Sequence, residues 1–153
     1  MNLNIFSKST KHAIQAMIYL ASNKDKPVLV VTIADYYSIP VFYLSKIIQT
    51  LRKHNLVSSI RGRGGGISLK RKPKTIHVSD IVNAIEGKDD EKQMCAYGID
   101  ICSDFVPCPI HDDWKKIKSQ IQDRLIHQNL ETLTNELIKK HALLKNKKRK
   151  SKN

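Results

Sequence analysis

Between residues 41 and 54 the chain separates apolar from polar positions with a helical period. Leu44, Ile47, Ile48 and Leu51 fall at i, i+3, i+4 and i+7 and form one apolar stripe, while Tyr43, Lys46, Gln49, Thr50 and Lys53 point elsewhere. Pro40 suits the first turn of this helix and breaks the preceding run, "VTIADYYS", a short helix with Thr32 placed to cap it. Further upstream, Ala13, Ile14, Ala16, Met17, Ile18, Leu20 and Ala21 leave only a narrow polar side. That pattern predicts a mostly buried helix over "STKHAIQAMIYLASN". Two helices joined by a tight turn, the second polar on its outer face, fit a helix-turn-helix, and equally an ordinary helical hairpin.

The next segment separates these two. "LVSSIRGRGGGISL" predicts two short strands, 56–60 and 67–69, around a loop of four glycines and two arginines. Glycine lets the loop turn sharply and press its backbone on another surface. Arg61 and Arg63 are groups suited to a narrow, negatively charged minor groove. A phosphate-cradling P-loop would need Gly-Lys-Ser/Thr opening a helix, whereas this loop leads into a strand. A helix-turn-helix followed by an arginine-bearing hairpin reads as a winged helix. The candidate DNA-contacting residues are Pro40, Phe42, Tyr43, Ser45 and Lys46 on the recognition helix, and Arg61, Arg63, Gly64 and Gly65 in the wing.

Beyond the wing, "TIHVSDIVNAIEG" predicts a strand-like run into a helix capped by Ser79 and ended by Gly87. The longest helix candidate covers 111–128, where Trp114, Ile117, Ile121 and Leu125 recur at three- and four-residue steps. One narrow stripe on an appended helix suits packing on a partner helix, hence a dimer seam, or packing on its own domain. "TLTNELIKKHALL" predicts a shorter closing helix, and the lysine-rich 145–153 lacks the apolar groups needed for order. The expected organisation is a winged-helix domain over 1–87, a cysteine-rich loop over 88–110, dimerisation and closing helices over 111–144, and a disordered basic tail. The expected fold class is mostly α with a small β-wing.

Charge agrees with this division. The 153 residues carry a net +13, and residues 1–75 hold thirteen Lys/Arg against Asp25 and Asp35 only. Residues 76–144 hold eight Lys/Arg against twelve Asp/Glu, and the tail adds six more cations. A basic first half joined to a mildly acidic second half suggests a polyanion-binding module with a different module attached. The start "MNLNIFSKST" lacks a signal-peptide pattern and no apolar run is long enough to span a bilayer, so a cytoplasmic protein without membrane contact is expected.

All three cysteines, Cys95, Cys102 and Cys108, crowd into one loop, with His111 just beyond. In the cytoplasm clustered thiols more often bind metal or serve redox chemistry than form structural disulfides. Unremarkable reduced thiols, a zinc site, a thiol switch and an iron–sulfur cluster all remain open on the residues alone. Zinc sites favour cysteine pairs two to four residues apart, and gaps of six and five residues suit something wider than one ion. The loop alone would also permit an iron–sulfur electron-transfer protein. The wing and the basic first half argue instead for DNA.

The run "LRKHNLVSSIRGRGGGISL", with "CPIHDDW" downstream, resembles the Rrf-type winged-helix regulators, the bacterial family of IscR-like and NsrR-like iron–sulfur repressors, over residues 1 to about 140. The resemblance implies a non-enzymatic homodimer whose paired winged helices read a palindromic operator in double-stranded DNA. It implies that Trp114, Ile117, Ile121 and Leu125 lie in the dimer interface. It implies, too, that Cys95, Cys102, Cys108 and His111 hold an iron–sulfur cluster, 2Fe–2S favoured and 4Fe–4S possible, sensing redox state, nitric oxide or iron–sulfur supply. Two departures bear on nuclearity. The first gap is six residues where the IscR pattern has five, and the acidic fourth ligand of some NsrR-like members falls on Lys11.

Overall fold

The structure, a computed structural model, describes residues 5–87, 97 and 103–150. Three helices open the chain: α1 (Lys8–Ser22), α2 (Val30–Tyr37) and α3 (Val41–Lys53). A hairpin of β1 (Val57–Ile60) and β2 (Gly66–Leu69) follows, then a 3-10 turn and α4 (Val78–Glu86). After the cysteine loop come α5 (His111–Ile121), a π-helical turn (Gln122–Ile126) and α6 (Leu130–Lys150). The mostly helical architecture with one small antiparallel sheet agrees with the expected fold class.

The apolar stripe of α3 does what its period predicts. Leu44, Ile47, Ile48 and Leu51 are all buried and pack with Ala13, Ala16, Met17 and Leu20 of α1 and Ile81 and Ala84 of α4 in one core. Full burial of each large side chain contributes about 1.5–3 kcal/mol. Both helices of the helix-turn-helix end in the same way. Ser38 and Asn55 take left-handed backbone, with φ of 55° and 61°. The Ile39 and Leu56 amides then reach back to the carbonyls of Ala34 (2.8 Å) and Leu51 (3.0 Å). These are Schellman closures, and the buried pairs Ile39–Ala34 and Leu56–Leu51 supply the apolar contact that accompanies them.

The hairpin pairs Val57 with Leu69 and Ile60 with Gly66, and Val28 joins its open edge through reciprocal bonds with Ile67 (2.9 and 2.8 Å). This pairing anchors the wing to the segment before α2. It also corrects the expected cap: the chain turns from the Val28 bridge directly into α2 at Val30, with Leu29 extended at the N-cap position and no side-chain bond there. Thr32 lies inside the first turn.

Ser79 is corrected likewise. His77 is the N-cap of α4: its carbonyl accepts from the Asp80 amide at 3.0 Å, and the Asp80 carboxylate accepts the His77 N–H at 3.0 Å. Arg71 also donates to Asp80 at 3.0 Å. The segment around His77 is in turn clamped by the start of α6, Val78 N–H donating to Gln128 and Leu130 N–H to Ile76. Asn129 caps α6 through its side-chain oxygen, which accepts from the Thr132 amide at 2.9 Å.

The expected single helix over 111–128 is interrupted. Its α-helical bonding stops at Ile121 and the π turn carries the chain to Ile126, shifting the phase of the stripe before Leu125. The closing helix runs past residue 144 through the basic segment to Lys150, so residues 145–150 are helical rather than disordered. Lysine and arginine propagate a helix well, and cations suit its negative C-terminal end. Among the described residues no helix is long and apolar enough to cross a membrane.

Candidate DNA-binding surface and cysteine loop

At 3.6 residues per turn, Phe42, Lys46, Gln49 and Lys53 form the stripe of α3 directly opposite its buried seam, and all four are exposed. Phe42 is 74% exposed, an unusual position for an aromatic ring on a helix that already has a complete core face. The Lys46 ammonium lies 4.6 Å from its ring centroid. Pro40 is exposed at the N-cap and Ser45 is half-buried on the flank.

Tyr43 does not share this outer stripe. Its hydroxyl lies 2.8 Å from Ser9 Oγ, and its ring meets the His12 ring edge-on at 5.5 Å. Sequence reasoning placed it on the outer face because its polar hydroxyl looked available. The two α1 residues that engage it are thirty and more positions away. Burial, and after it the Lys8 charge, holds His12 below its ordinary pKa, which keeps it neutral beside Tyr43 at pH 7. Tyr43 therefore sets how α3 sits on α1.

In the wing, Arg61, Arg63 and Gly64 are exposed at the tip. The tip closes by a bond from the Gly65 amide to the Gly62 carbonyl at 2.9 Å. A Cβ on Gly65 would collide with the Ile60 carbonyl and stand 2.8 Å from that of Gly62. Gly66, at φ 151°, lies so close to Val28 that a Cβ would meet its carbonyl at 2.7 Å. These two glycines permit the tight hairpin that carries the arginines outward. Gly65→Ala is expected to weaken DNA binding while the core of α1, α3 and α4 stays folded, checked by paired binding and thermal-unfolding measurements. Further exposed cations, Arg52, Lys70, Arg71, Lys72 and Lys74, flank the two elements. The charge count foreshadowed them, although no motif singled them out.

Of the four candidate metal ligands, Cys95 and Cys102 lie outside the described residues. Cys108 is half-buried, and the His111 amide donates to its carbonyl at 3.0 Å, which holds the two residues together at the start of α5. His111 is buried, 6% exposed, with Nε2 2.7 Å from Asp104 Oδ1. Lys115 holds the same carboxylate at 2.8 and 3.0 Å. The Lys115 hydrogen bond, and after it that of His111, holds the Asp104 carboxyl below its ordinary range. Asp104 was absent from the sequence-based candidates. Its signal was a carboxylate seven residues before His111 and eleven before Lys115, a proximity visible only once the loop is folded onto α5. Among the described residues no three His, Cys, Asp or Glu side chains are grouped to hold a metal.

Beyond the loop, Trp114 and Ile121 are half-buried and Ile117 is 48% exposed, so the apolar stripe of α5 is not fully covered by its own chain. Leu125 is described in its backbone alone.

Residues 6–136 match the model of the Rrf2 family, described as an iron-dependent transcriptional regulator. An HTH-type transcriptional regulator of Aquifex aeolicus is 39% identical over 121 residues, covering 78% of this chain and 83% of its own. Among solved structures, IscR of T. potens aligns with a TM-score of 0.69 and 30% identity, over 86% of this chain and 87% of its own. CymR, the global cysteine regulator of B. subtilis, aligns with a TM-score of 0.73 and 26% identity, over 88% and 98%. The chain belongs to the Rrf2 family of winged-helix, DNA-binding transcriptional regulators and is not an enzyme.

Proposed function

We propose that the protein is a homodimeric, cytoplasmic repressor whose operator affinity is set by an iron–sulfur cluster bound through Cys95, Cys102, Cys108 and His111. The observation that carries the DNA half is the exposed stripe of Phe42, Lys46, Gln49 and Lys53 on α3, followed in the chain by the exposed Arg61 and Arg63 of the wing. The former suits the major groove and the latter the minor groove. The incompletely covered Trp114, Ile117 and Ile121 stripe supports a dimer formed through α5, and Leu125 falls within the π turn that follows.

The cluster half draws on the family's description as iron-dependent and on the His111 environment. Metal-bound imidazoles commonly donate their second ring N–H to a carboxylate, which fixes the tautomer. Asp104 is placed to accept from Nε2, and in that tautomer the ring's lone pair sits on Nδ1. Within the described part of the loop, Cys108 and His111 offer one thiolate and one imidazole donor to such a cluster, 2Fe–2S being the favoured form. When bound, such a group would supply a redox- and nitric-oxide-sensitive centre at the base of the dimerisation helix.

Two measurements test this reading. Selection from random duplex DNA should return palindromic sites with half-site centres about 34 Å apart, bound with steep salt dependence as counterions are released. Protein purified without oxygen and supplied with iron should be brown-red. A colourless, zinc-containing or disulfide-bonded product would replace the cluster by a zinc site or a thiol switch, and DNA without dyad symmetry would remove the dimeric operator. Arg61→Ala is expected to weaken operator binding with no change in unfolding temperature, because an exposed loop charge contributes little to folding. Unchanged affinity would pass the groove contact to Arg63.

A further inference from the structure

The geometry points to Phe42 and Lys46 acting as one reading unit that selects a thymine stacked beside a guanine in each half-site. This rests on the DNA-binding reading above and adds which bases the recognition helix prefers. The observations are the 74% exposure of Phe42, its place on the α3 stripe opposite the core, and the Lys46 ammonium 4.6 Å from its ring centroid. The core has no use for this ring: Leu44, Ile47, Ile48 and Leu51 already complete the buried face.

The chemistry of the major groove narrows what such a pair can read. A phenyl ring has neither donor nor acceptor, and the thymine C5 methyl is the apolar group that base edges display there. An ammonium carries donors only, and guanine displays two acceptors, O6 and N7. The 4.6 Å between the ring centre and the ammonium exceeds the rise of about 3.4 Å between stacked base pairs and falls short of two such steps. The two groups therefore address neighbouring pairs. Adenine and cytosine each present an amino donor, which would be desolvated against the ring or oppose the ammonium. The contact between ring and ammonium also holds Lys46 in place before DNA arrives, so less side-chain freedom is lost on binding. Tyr43, the other aromatic of this turn, is engaged with Ser9 and His12 and does not compete for the site.

The test uses the wild-type protein and the operator recovered by selection. Each thymine of a half-site is replaced in turn by deoxyuridine, which removes the methyl and nothing else, and each guanine by 7-deazaguanine, which removes N7. One thymine per half-site should respond, with affinity falling about fourfold for one methyl and about fifteenfold for both half-sites. Phe42→Ala should still bind, more weakly, and should no longer distinguish thymine from deoxyuridine at that position. The 7-deazaguanine effect should fall on the neighbouring base and vanish in Lys46→Ala. No thymine responding, or an equal response in wild type and Phe42→Ala, overturns the pair while leaving the winged helix a DNA-binding module. Responsive bases that are not neighbours overturn it as well. Recovery of no preferred DNA by the wild type would instead sink the operator reading itself. Phe42 is exposed, so an unchanged unfolding temperature in Phe42→Ala separates lost recognition from lost fold.

Discussion

Alanine in place of Cys95, Cys102 or Cys108 is expected to abolish the visible absorption of protein purified without oxygen and supplied with iron. A thiolate is a charged, strong iron ligand, and no other cysteine exists in the chain to take its place. His111→Ala is expected to behave differently. Imidazole is a neutral, weaker donor that water can replace, so this variant should keep a labile, spectrally shifted chromophore. The buried ring also accounts for the contact with Asp104 on the loop side of α5, so the variant should unfold at a lower temperature than wild type. His111→Cys should retain the chromophore and lower its reduction potential, since imidazole in place of thiolate raises it. Iron content, absorption and potential are the measurements. An unaltered spectrum in His111→Ala would remove the histidine from the ligand set, and a full chromophore in any cysteine variant would break the proposed set.

The features legible in the sequence are those set by local periodicity. The 44, 47, 48, 51 spacing told which face of α3 is buried, and the glycine-arginine run told where the chain doubles back into a wing. Both depend on residues within a few positions of one another. The features that escaped depend on groups far along the chain. Tyr43 reads as an available hydroxyl until Ser9 and His12 of α1 are placed beside it. Ser79 is the better capping residue by type, yet His77 caps α4, because Asp80 lies at the N3 position and the start of α6 clamps the strand-like segment before the helix. Thr32 lost its role when Val28 paired with Ile67, a partner some forty residues on. Composition misjudged 145–150: a lysine-rich segment lacks the apolar groups to nucleate a helix but readily extends one already nucleated and capped at Asn129. The same limit applies to the apolar stripe of α5, where the Trp114, Ile117, Ile121 period is plain but the π turn that follows over Gln122–Ile126 carries no sequence mark.

Leu44→Ala and Lys46→Ala, two residues apart on one helix, are expected to fail in opposite ways. Leu44 of α3 is fully buried, in one core with Met17, Leu20 and Leu51. Truncation there should cost about 2–5 kcal/mol of stability, through lost transfer free energy and the cavity left behind. A large share of a small domain's stability would go with it, so unfolding temperature should fall markedly and operator affinity should fall only in proportion to the folded fraction. Lys46 is exposed on the opposite face, and its removal should leave the unfolding temperature within experimental scatter. Its effect should appear as about 1–3 kcal/mol of lost binding at one base position, with relaxed preference there. Uniform weakening across all sequences would reduce Lys46 to a phosphate contact, and a large stability loss in Lys46→Ala would mean that its stacking on Phe42 supports the helix rather than the readout. Chemical denaturation paired with binding to the full set of single-base operator variants separates these outcomes, because the Leu44 variant should rank the variants as wild type does and the Lys46 variant should not.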